Sequence, residues 1–449
     1  MGGYIGRGQP VAAGGDSVET ADLVDDSVTN AKIATNAVTG DSIAANAVGN
    51  SELSDNAVDS AQIAAGAVDD AHLATGISAS KLTGALPAIS GASLTNLTST
   101  FAGLTDTTVS TSDPATNTNP SATGHLWINK TSGEAYICTS ATNNANTWKN
   151  IGPGTGDISP NYSAQWLVIG GGGAGGYTTG GWNGGGGGSG GIAYHSGVTL
   201  TPTNTFTVTV GTGGAGPTSQ GEQGSDNVAD SGTNSSIVSS GYTTVTAYGG
   251  GGGSGYVNAY INGADGGSGG GGEGNSQQNA SHATQGVGGT TLYGTAGDPG
   301  DQGSPYNSGG GGGAGAAATS SNGGVGTSAF STWGAATSSG ELVSGTYYYA
   351  GGGGAGMTSG SGGVGGHGGA GNGGSDAGTS GGDATDGTGG GGGGRGKYNV
   401  GSGVAGSGGD GIVIIRYTDA GGQRGSGGTV AQSGGYYYHK FTTSGTFTA

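Results

Sequence analysis

The side chains with chemical reach in this sequence are few and thinly spread. Asp383 and Asp386 stand three apart in a glycine-rich segment. A polysaccharide-cleaving site needs such a carboxylate pair, one on each side of the scissile bond, held at a set separation. No neighbouring framework fixes that separation here, so the pair carries no hydrolytic reading. Gly408-Gly409-Asp410-Gly411-Ile412 has the outline of a calcium nonapeptide but does not repeat in register. The histidines lack the spacing of metal ligands. G-x-G-x-x-G strings abound by chance at this glycine content, none opens a βαβ pattern, and no G-K-[ST] phosphate loop is present. The expectation is a non-enzyme, with no catalytic residue, no cofactor and no metal.

What remains is recognition by aromatic side chains. Tyr177, Trp182, Tyr256, Tyr260, Tyr293, Tyr306, Phe330, Trp333, Tyr347, Tyr348 and Tyr349 all fall between glycine runs. Rigid rings supply contact area at low entropic cost and are enriched in binding hot spots. The competing reading is that each caps an edge of a domain poor in other apolar groups. As a set they are expected to include receptor contacts.

The element that must position these loops runs from Trp166 to Tyr417. It opens with the apolar Trp166-Leu167-Val168-Ile169, passes directly into Gly170–Gly173, and closes with Gly411-Ile412-Val413-Ile414-Ile415-Arg416-Tyr417. Between these, oligoglycine recurs at 184–188, 249–253, 269–272, 309–313, 351–354 and 389–394. Glycine buries no side chain and has the most backbone entropy to lose, so a lone run stays unfolded. Runs in polyproline II geometry, packed side by side, pair their backbone groups with neighbours on all sides, and only glycine permits that approach. Three residues per turn then place Val364, His367 and Ala370 on one edge while the glycines between them face the bundle. A five-residue run spans about 15 Å, which predicts a thin sandwich with loops at two rims. Thr205–Gly211, Tyr242–Tyr248, Tyr436–Phe441 and Thr446–Thr448 alternate like half-buried strands, forming a β collar around the bundle.

Residues 16–75 carry a different repeat. Val18, Leu23, Val28, Ile33, Val38, Ile43, Val48, Leu53, Val58, Ile63, Val68 and Leu73 recur every five residues, within a decapeptide of the type N-A-V-x-x-x-x-I-A-x. Five matches neither a helix nor a strand, but it fits short extended pieces separated by tight turns. Each repeat buries one aliphatic side chain at most, so stacking is obligatory. A single-chain solenoid and a three-chain stalk both satisfy the pattern. The shortness of the run and its lack of the Phe/Leu dominance of pentapeptide coils favour a homotrimeric stalk. The resulting fold class is all-β and fibrous. Its parts are an N-terminal segment (1–15), the pentad-repeat β stalk (16–75), a connector (76–112), a small β module (113–157) and a glycine-rich head (158–449). In the module, Trp127, Tyr136 and Trp148 read better as the core than as a sugar-stacking platform, because few other large apolar residues exist there.

Composition bounds the partners. Of 449 residues 115 are glycine, and the formal charge is −18. No basic patch is available to displace counterions from nucleic acid. Cys138 is the single cysteine, so no disulfide can form within the chain. No apolar stretch reaches the ~18 residues of a membrane span, and the N-terminus lacks a signal-peptide core, so no membrane insertion is expected.

Several segments together resemble a bacteriophage tail fibre of the marine or cyanophage type. Asn30-Ala31-Lys32-Ile33-Ala34 and Asn36-Ala37-Val38-Thr39 resemble fibre decapeptides. Lys81–Ile89 and Gly124–Asn129 are similar to connectors and modules of such fibres. Tyr4-Ile5-Gly6-Arg7 is similar to the opening of fibres whose N-terminus attaches to the tail. Trp166–Gly173 and Gly411–Tyr417 resemble the two ends of a glycine-rich phage family. The head is similar in kind to the polyglycine II sandwich adhesins of T-even-type long tail fibres. One departure is the position of His439–Thr448, which in that family precedes the first Val-rich strand. The resemblance implies a virion-tail protein, made in a host cytoplasm and exposed outside. Its partners would be a tail or baseplate adaptor, bound through Tyr4, Ile5, Gly6 and Arg7, and a host receptor, either glycan or outer-membrane protein. The alternative is a purely structural fibre or decoration protein.

Overall fold

The computed structural model describes residues 24–49, 51, 53, 54, 57, 58, 63, 106–152, 158–179, 182–223, 227–255, 261–274, 281–301, 305–397, 402–420 and 422–449. Tyr4, Ile5, Gly6, Arg7, Tyr256 and Tyr260 lie outside them. The chain divides into two compact units, Met1–Thr98 and Ser99–Ala449.

In the first unit the five-residue spacing is met by two turns in alternation. One is a 3₁₀ turn, at Asn30–Lys32 and again at Gly40–Ser42. The other places Asp26, Asn36 and Asn46 at φ of 62°, 67° and 68°, where Asn and Asp are tolerated. Backbone bonds close both kinds, Lys32 N–H donating to Thr29 O and Ala37 N–H to Ala34 O. This corrects the expected β stalk. No strand forms among the described residues here, because a bond closes within each pentad and leaves too little extended chain to build a ladder. The aliphatic row stays exposed in the single chain, from 42% at Ile33 to 56% at Val38 among its described members.

The second unit begins with a four-stranded sheet, β1 (Thr107–Ser110), β2 (Leu126–Asn129), β3 (Ala135–Ser140) and β4 (Thr147–Asn150). The hairpin of β2 and β3 and the third strand β4 match the strands that His125–Asn129, Ala135–Thr139 and Trp148–Ile151 predict in the sequence. Strand β1 falls within the expected connector (76–112), where Thr-Thr-Val-Ser is too short to signal a strand alone. It pairs in parallel with β2. Tyr136, Cys138 and Trp148 are buried together and Trp127 packs against Trp148, so these rings are core.

Beyond the module, β5 (Tyr162–Ile169), β6 (Ile192–Leu200), β11 (Thr291–Tyr293), β14 (Ile412–Thr418), β15 (Thr429–Ser433) and β16 (Tyr436–Phe441) form one sheet in the order β11-β6-β5-β14-β16-β15. A second sheet holds β7 (Thr205–Thr209), β8 (Ser235–Val238), β9 (Val245–Ala247), β10 (Gly286–Val287) and β17 (Gly445–Thr448), in the order β10-β9-β8-β7-β17. The two apolar ends of the glycine region are neighbours, with Ile169 opposite Ile412 and Trp166 opposite Ile415. Their period of two sends Trp166, Val168, Val413 and Ile415 toward Phe206, Ile237 and Phe447 of the second sheet. It sends Leu167, Ile169, Ile412 and Ile414 toward Phe330, Trp333 and Tyr349 on the opposite face. Those residues belong to an insertion that contains α1 (Ser331–Thr337) and the hairpin β12 (Glu341–Val343) and β13 (Thr346–Tyr348). The displaced C-terminal segment pairs β16 with β14 and β17 with β7.

The strands run straight into the glycine array: β5 continues as 170–176, and β6 is entered from 184–191. Where side chains end, hydrogen bonds between backbones replace packing between side chains. Along 170–176 the donor target repeats every third residue. Gly173 and Gly176 donate to Gly188 and Gly185, Gly171 and Ala174 to Thr233 and Asp230, and Gly172 and Gly175 to Gly409 and Gly406. The run 184–189 is wholly enclosed. Its N–H groups reach the runs around 392, 251 and 309, and its carbonyls accept from those around 353, 173 and 268, so six neighbours surround it. No peptide group of this run is left unpaired, which is the requirement for burying it.

At the edges, side chains take over the missing acceptors. Val404, Ser407 and Asp410 N–H donate to Ser380 Oγ, Asp383 Oδ1 and Asp386 Oδ1. The same three-residue period leaves Val364 and His367 exposed, while Gly363, Gly366 and Gly369 are buried.

Candidate functional site

The antiparallel registers divide the loops into two sets. Gly170 lies at the strand end of its run and Gly176 at the far end, where it meets Gly185. By the same register Gly309, Gly356 and Arg395 lie at the far end beside Gly186 and Gly184. Tyr177, Trp182 and Tyr306 therefore gather on the far rim. Tyr293, Phe330, Trp333, Tyr347, Tyr348 and Tyr349 belong to the strand end.

Three expected loop contacts are corrected by burial. Phe330, Trp333 and Tyr349 are sealed against the sheet, with Trp333 only 3% exposed. An apolar sheet face needs cover, and α1 supplies it. Tyr349 Oη is also engaged, 2.7 Å from Ser339 Oγ. Tyr293 packs half-buried against Phe330, ring centroids 5.7 Å apart, and Tyr348 lies 5.6 Å from the His367 ring. Tyr347 is half-buried, its N–H donating to Ser331 Oγ.

The far rim is assembled from the ends of the runs. Tyr177 N–H donates to Gln223 Oε1 (2.6 Å) while Gln223 Nε2 donates to Tyr177 O (2.7 Å), so one amide pins the loop in both senses. The Arg395 guanidinium stacks on the Tyr177 ring at 4.6 Å and donates to Thr178 O at 2.8 Å. Trp182 meets Tyr306 edge to face at 5.4 Å, and Tyr306 takes a left-handed φ of 56°. Asn183 Nδ2 donates to Gly356 O, and Ser308 Oγ donates to Asn183 O. Tyr177, Trp182 and Tyr306 are all half-buried, so part of each ring remains open to a partner.

Glu273 sits at the same rim with its side chain buried. Burial drives its carboxyl up to about 7, against the opposing effect of the Ile261 backbone N–H. Sequence reasoning missed Arg395, Gln223 and Glu273. A signal existed for the first: Arg395 follows the six glycines of 389–394, and a cation is rare in this chain.

The carboxylates weighed for chemistry are taken up by the backbone. Asp383 and Asp386 cap the edge run, and Asp410 Oδ1 accepts from Gly213 N–H at 2.8 Å. Among the described residues no cluster of His, Cys, Asp or Glu is placed to hold a metal ion. Residues 152–418 match a family model described as a glycine-rich domain. No sequence among the curated proteins matches the chain.

Proposed function

The chain belongs to the glycine-rich domain family, and we propose that it is a bacteriophage tail fibre that recognises the host surface through the far rim of its head. One observation carries this reading: the six-neighbour glycine array ends in a rim where Tyr177, Trp182 and Tyr306 are clamped by backbone and side-chain bonds. A scaffold held by backbone bonds tolerates change in the loops it carries, which suits a surface selected for recognition. The three-residue period of the bonds supports reading the array as packed polyglycine II helices.

In this reading Tyr4, Ile5, Gly6 and Arg7 attach the fibre to a tail or baseplate adaptor, and the protein is exposed on the virion. The aliphatic row from Val28 to Ile63 stands uncovered in one chain and supports a trimeric shaft in which three rows meet. A glycan and an outer-membrane protein both suit a rim of aromatic and amide groups.

The test is competition. Purified full-length chain should block adsorption of the virions that carry it, and Trp182→Ala or Tyr306→Ala should abolish the block while leaving the melting curve unchanged. A passive structural fibre would leave adsorption unaffected at any concentration, and that result would end the proposal.

A further inference from the structure

A cleft of about 400 Å³ opens at the strand end between α1, β14 and the hairpin of β15 and β16. Arg416 lines it. The guanidinium is held between two rings, 4.3 Å from the Trp333 centroid and 4.4 Å from that of Tyr436. Nε donates to Gln165 Oε1 at 2.7 Å, and a terminal nitrogen makes one long bond of 3.4 Å to Tyr438 Oη. Among the described residues no carboxylate pairs with Arg416. In a chain with 28 acidic residues against 10 basic ones, an acid partner is not scarce, so a fixed and unpaired guanidinium is notable. An arginine has five N–H donors, and the planar fork suits a carboxylate in a two-pronged contact.

The rest of the cleft indicates what carries that carboxylate. The hydroxyls of Thr332, Ser433 and Tyr436 make no hydrogen bond among the described residues, and all three residues line the cleft. The turn that holds Ser433 in place has Gly434 and Gly435 at φ of 58° and 81°, the pair of positive angles that a tight hairpin needs. Aromatic faces beside free hydroxyls match a pyranose, which is apolar on its C–H face and polar at its rim. A phosphate would bring a second negative charge with only one cation to meet it, in a protein of formal charge −18.

We propose that this cleft binds a carboxylated sugar residue, its carboxylate on the open edge of Arg416, its ring against Tyr436 and its hydroxyls shared with Ser433 and Thr332. The site lies at the opposite end of the glycine runs from the far rim and does not depend on the rim's role.

The experiment is calorimetric titration of the full-length chain with sodium D-glucuronate, with D-glucose, sodium acetate and inorganic phosphate as comparisons. Glucuronate should bind at least tenfold more tightly than each of the three, a difference of about 1.4 kcal/mol. Arg416→Lys should abolish that margin, since a point charge lacks the planar fork. Ser433→Ala and Tyr436→Phe, which leave the core intact, should each weaken glucuronate about threefold or more, near the net worth of one hydrogen bond. An oligoglucuronate titrated alongside separates a polymer-binding groove, which would favour the oligomer, from a site for the terminal sugar, which would bind both alike. Phosphate or acetate binding as tightly as glucuronate would overturn the proposal. So would absence of glucuronate binding, or unchanged affinity in both hydroxyl variants.

Discussion

Gly187 tests whether backbone contact holds the head together. A Cβ at this position would stand 2.1 Å from Gly173 O and 2.8 Å from Ala174 O, whereas ordinary contact begins at 3.4 Å. Alanine must therefore push the run 170–176 away by about 1.3 Å, the difference of 3.4 and 2.1. The bonds along that seam, Gly173 to Gly188 and Gly176 to Gly185, are both 2.8 Å long. Stretched by that amount they exceed any hydrogen-bond distance. Each of the two broken bonds leaves buried groups unpaired at a cost of about 1–3 kcal/mol, so Gly187→Ala should cost roughly 2–6 kcal/mol. The smaller entropy of the unfolded alanine chain returns only about 0.4–1 kcal/mol. At ~2–4 °C per kcal/mol for a domain of this size, the melting temperature should fall by several degrees and by up to about 20 °C. Gly221 is the control. No atom lies within 4 Å of a Cβ added there, so Gly221→Ala should be neutral or slightly stabilising. The assay is thermal unfolding of the full chain followed by near-ultraviolet circular dichroism. Equal melting temperatures for the two variants would refute the argument, because they would mean the runs are not packed backbone to backbone.

Three other outcomes are expected. Asp383→Asn keeps an oxygen for the Ser407 N–H and should melt like the wild type, whereas Asp383→Ala should lose about 0.5–1.5 kcal/mol in the same assay. His439 is buried, with Nδ1–H donating to Gly427 O (2.8 Å) and Nε2 accepting from Tyr417 O–H (3.0 Å). Burial lowers its pKa, so the folded state binds fewer protons than the unfolded one. Its contribution should be complete above the unfolded value of about 6.5 and should fade as pH drops below it, visible as acid destabilisation that His439→Gln flattens. Glu273 has the opposite sign: with its carboxyl raised from 4.5 to about 7, wild-type stability should fall as pH climbs through that window. Glu273→Gln should remove that fall in melts collected between pH 4.5 and 8.

The parts of the fold legible in the sequence are those with a strong local period. Trp166–Ile169 and Ile412–Ile415 read as buried strands, and the Val364–His367 spacing disclosed an edge with a three-residue period. The hairpin of β2 and β3 was legible for the same reason. What stayed hidden depends on partners distant in the chain. Strand β6 contains His195, Ser196 and Gly197 and looks like loop, yet it pairs along β5 and carries Ile192 and Leu200 into the core. Helix α1 spans only Ser331–Thr337, with a glycine inside it, and no isolated peptide of that length would be helical. Trp333 and Phe330 hold it on the sheet. The same absence of local signal makes Phe330 and Trp333 look like loop contacts in the sequence. At the far rim, Tyr177, Trp182 and Tyr306 were legible as aromatics between runs, but their convergence follows from antiparallel registers that composition does not encode.

The acidity of the chain also has a structural source in the head. A glycine run inside the array finds an acceptor for every N–H on some neighbour, but a run at the edge has N–H groups facing solvent at every third residue. Water satisfies them only loosely. An Asp, Asn or Ser on the adjacent run, placed at the same interval, holds the N–H and fixes the register. Asp383 and Asp386 do this for Ser407 and Asp410, Asn322 for Val364 and Asn372 for Gly365. A basic side chain has no acceptor and cannot serve. The edges of such an array therefore select oxygen-bearing residues with period three, and those that are carboxylates add negative charge that owes nothing to a ligand. Two of the arginines that lie beside aromatic rings, Arg395 at the far rim and Arg416 at the strand end, depart from that rule. Neither is an edge cap, and each sits where a run or strand opens onto a surface cleft or rim. In the proposed reading, scaffold and recognition surface thus differ in charge sign as well as in residue size.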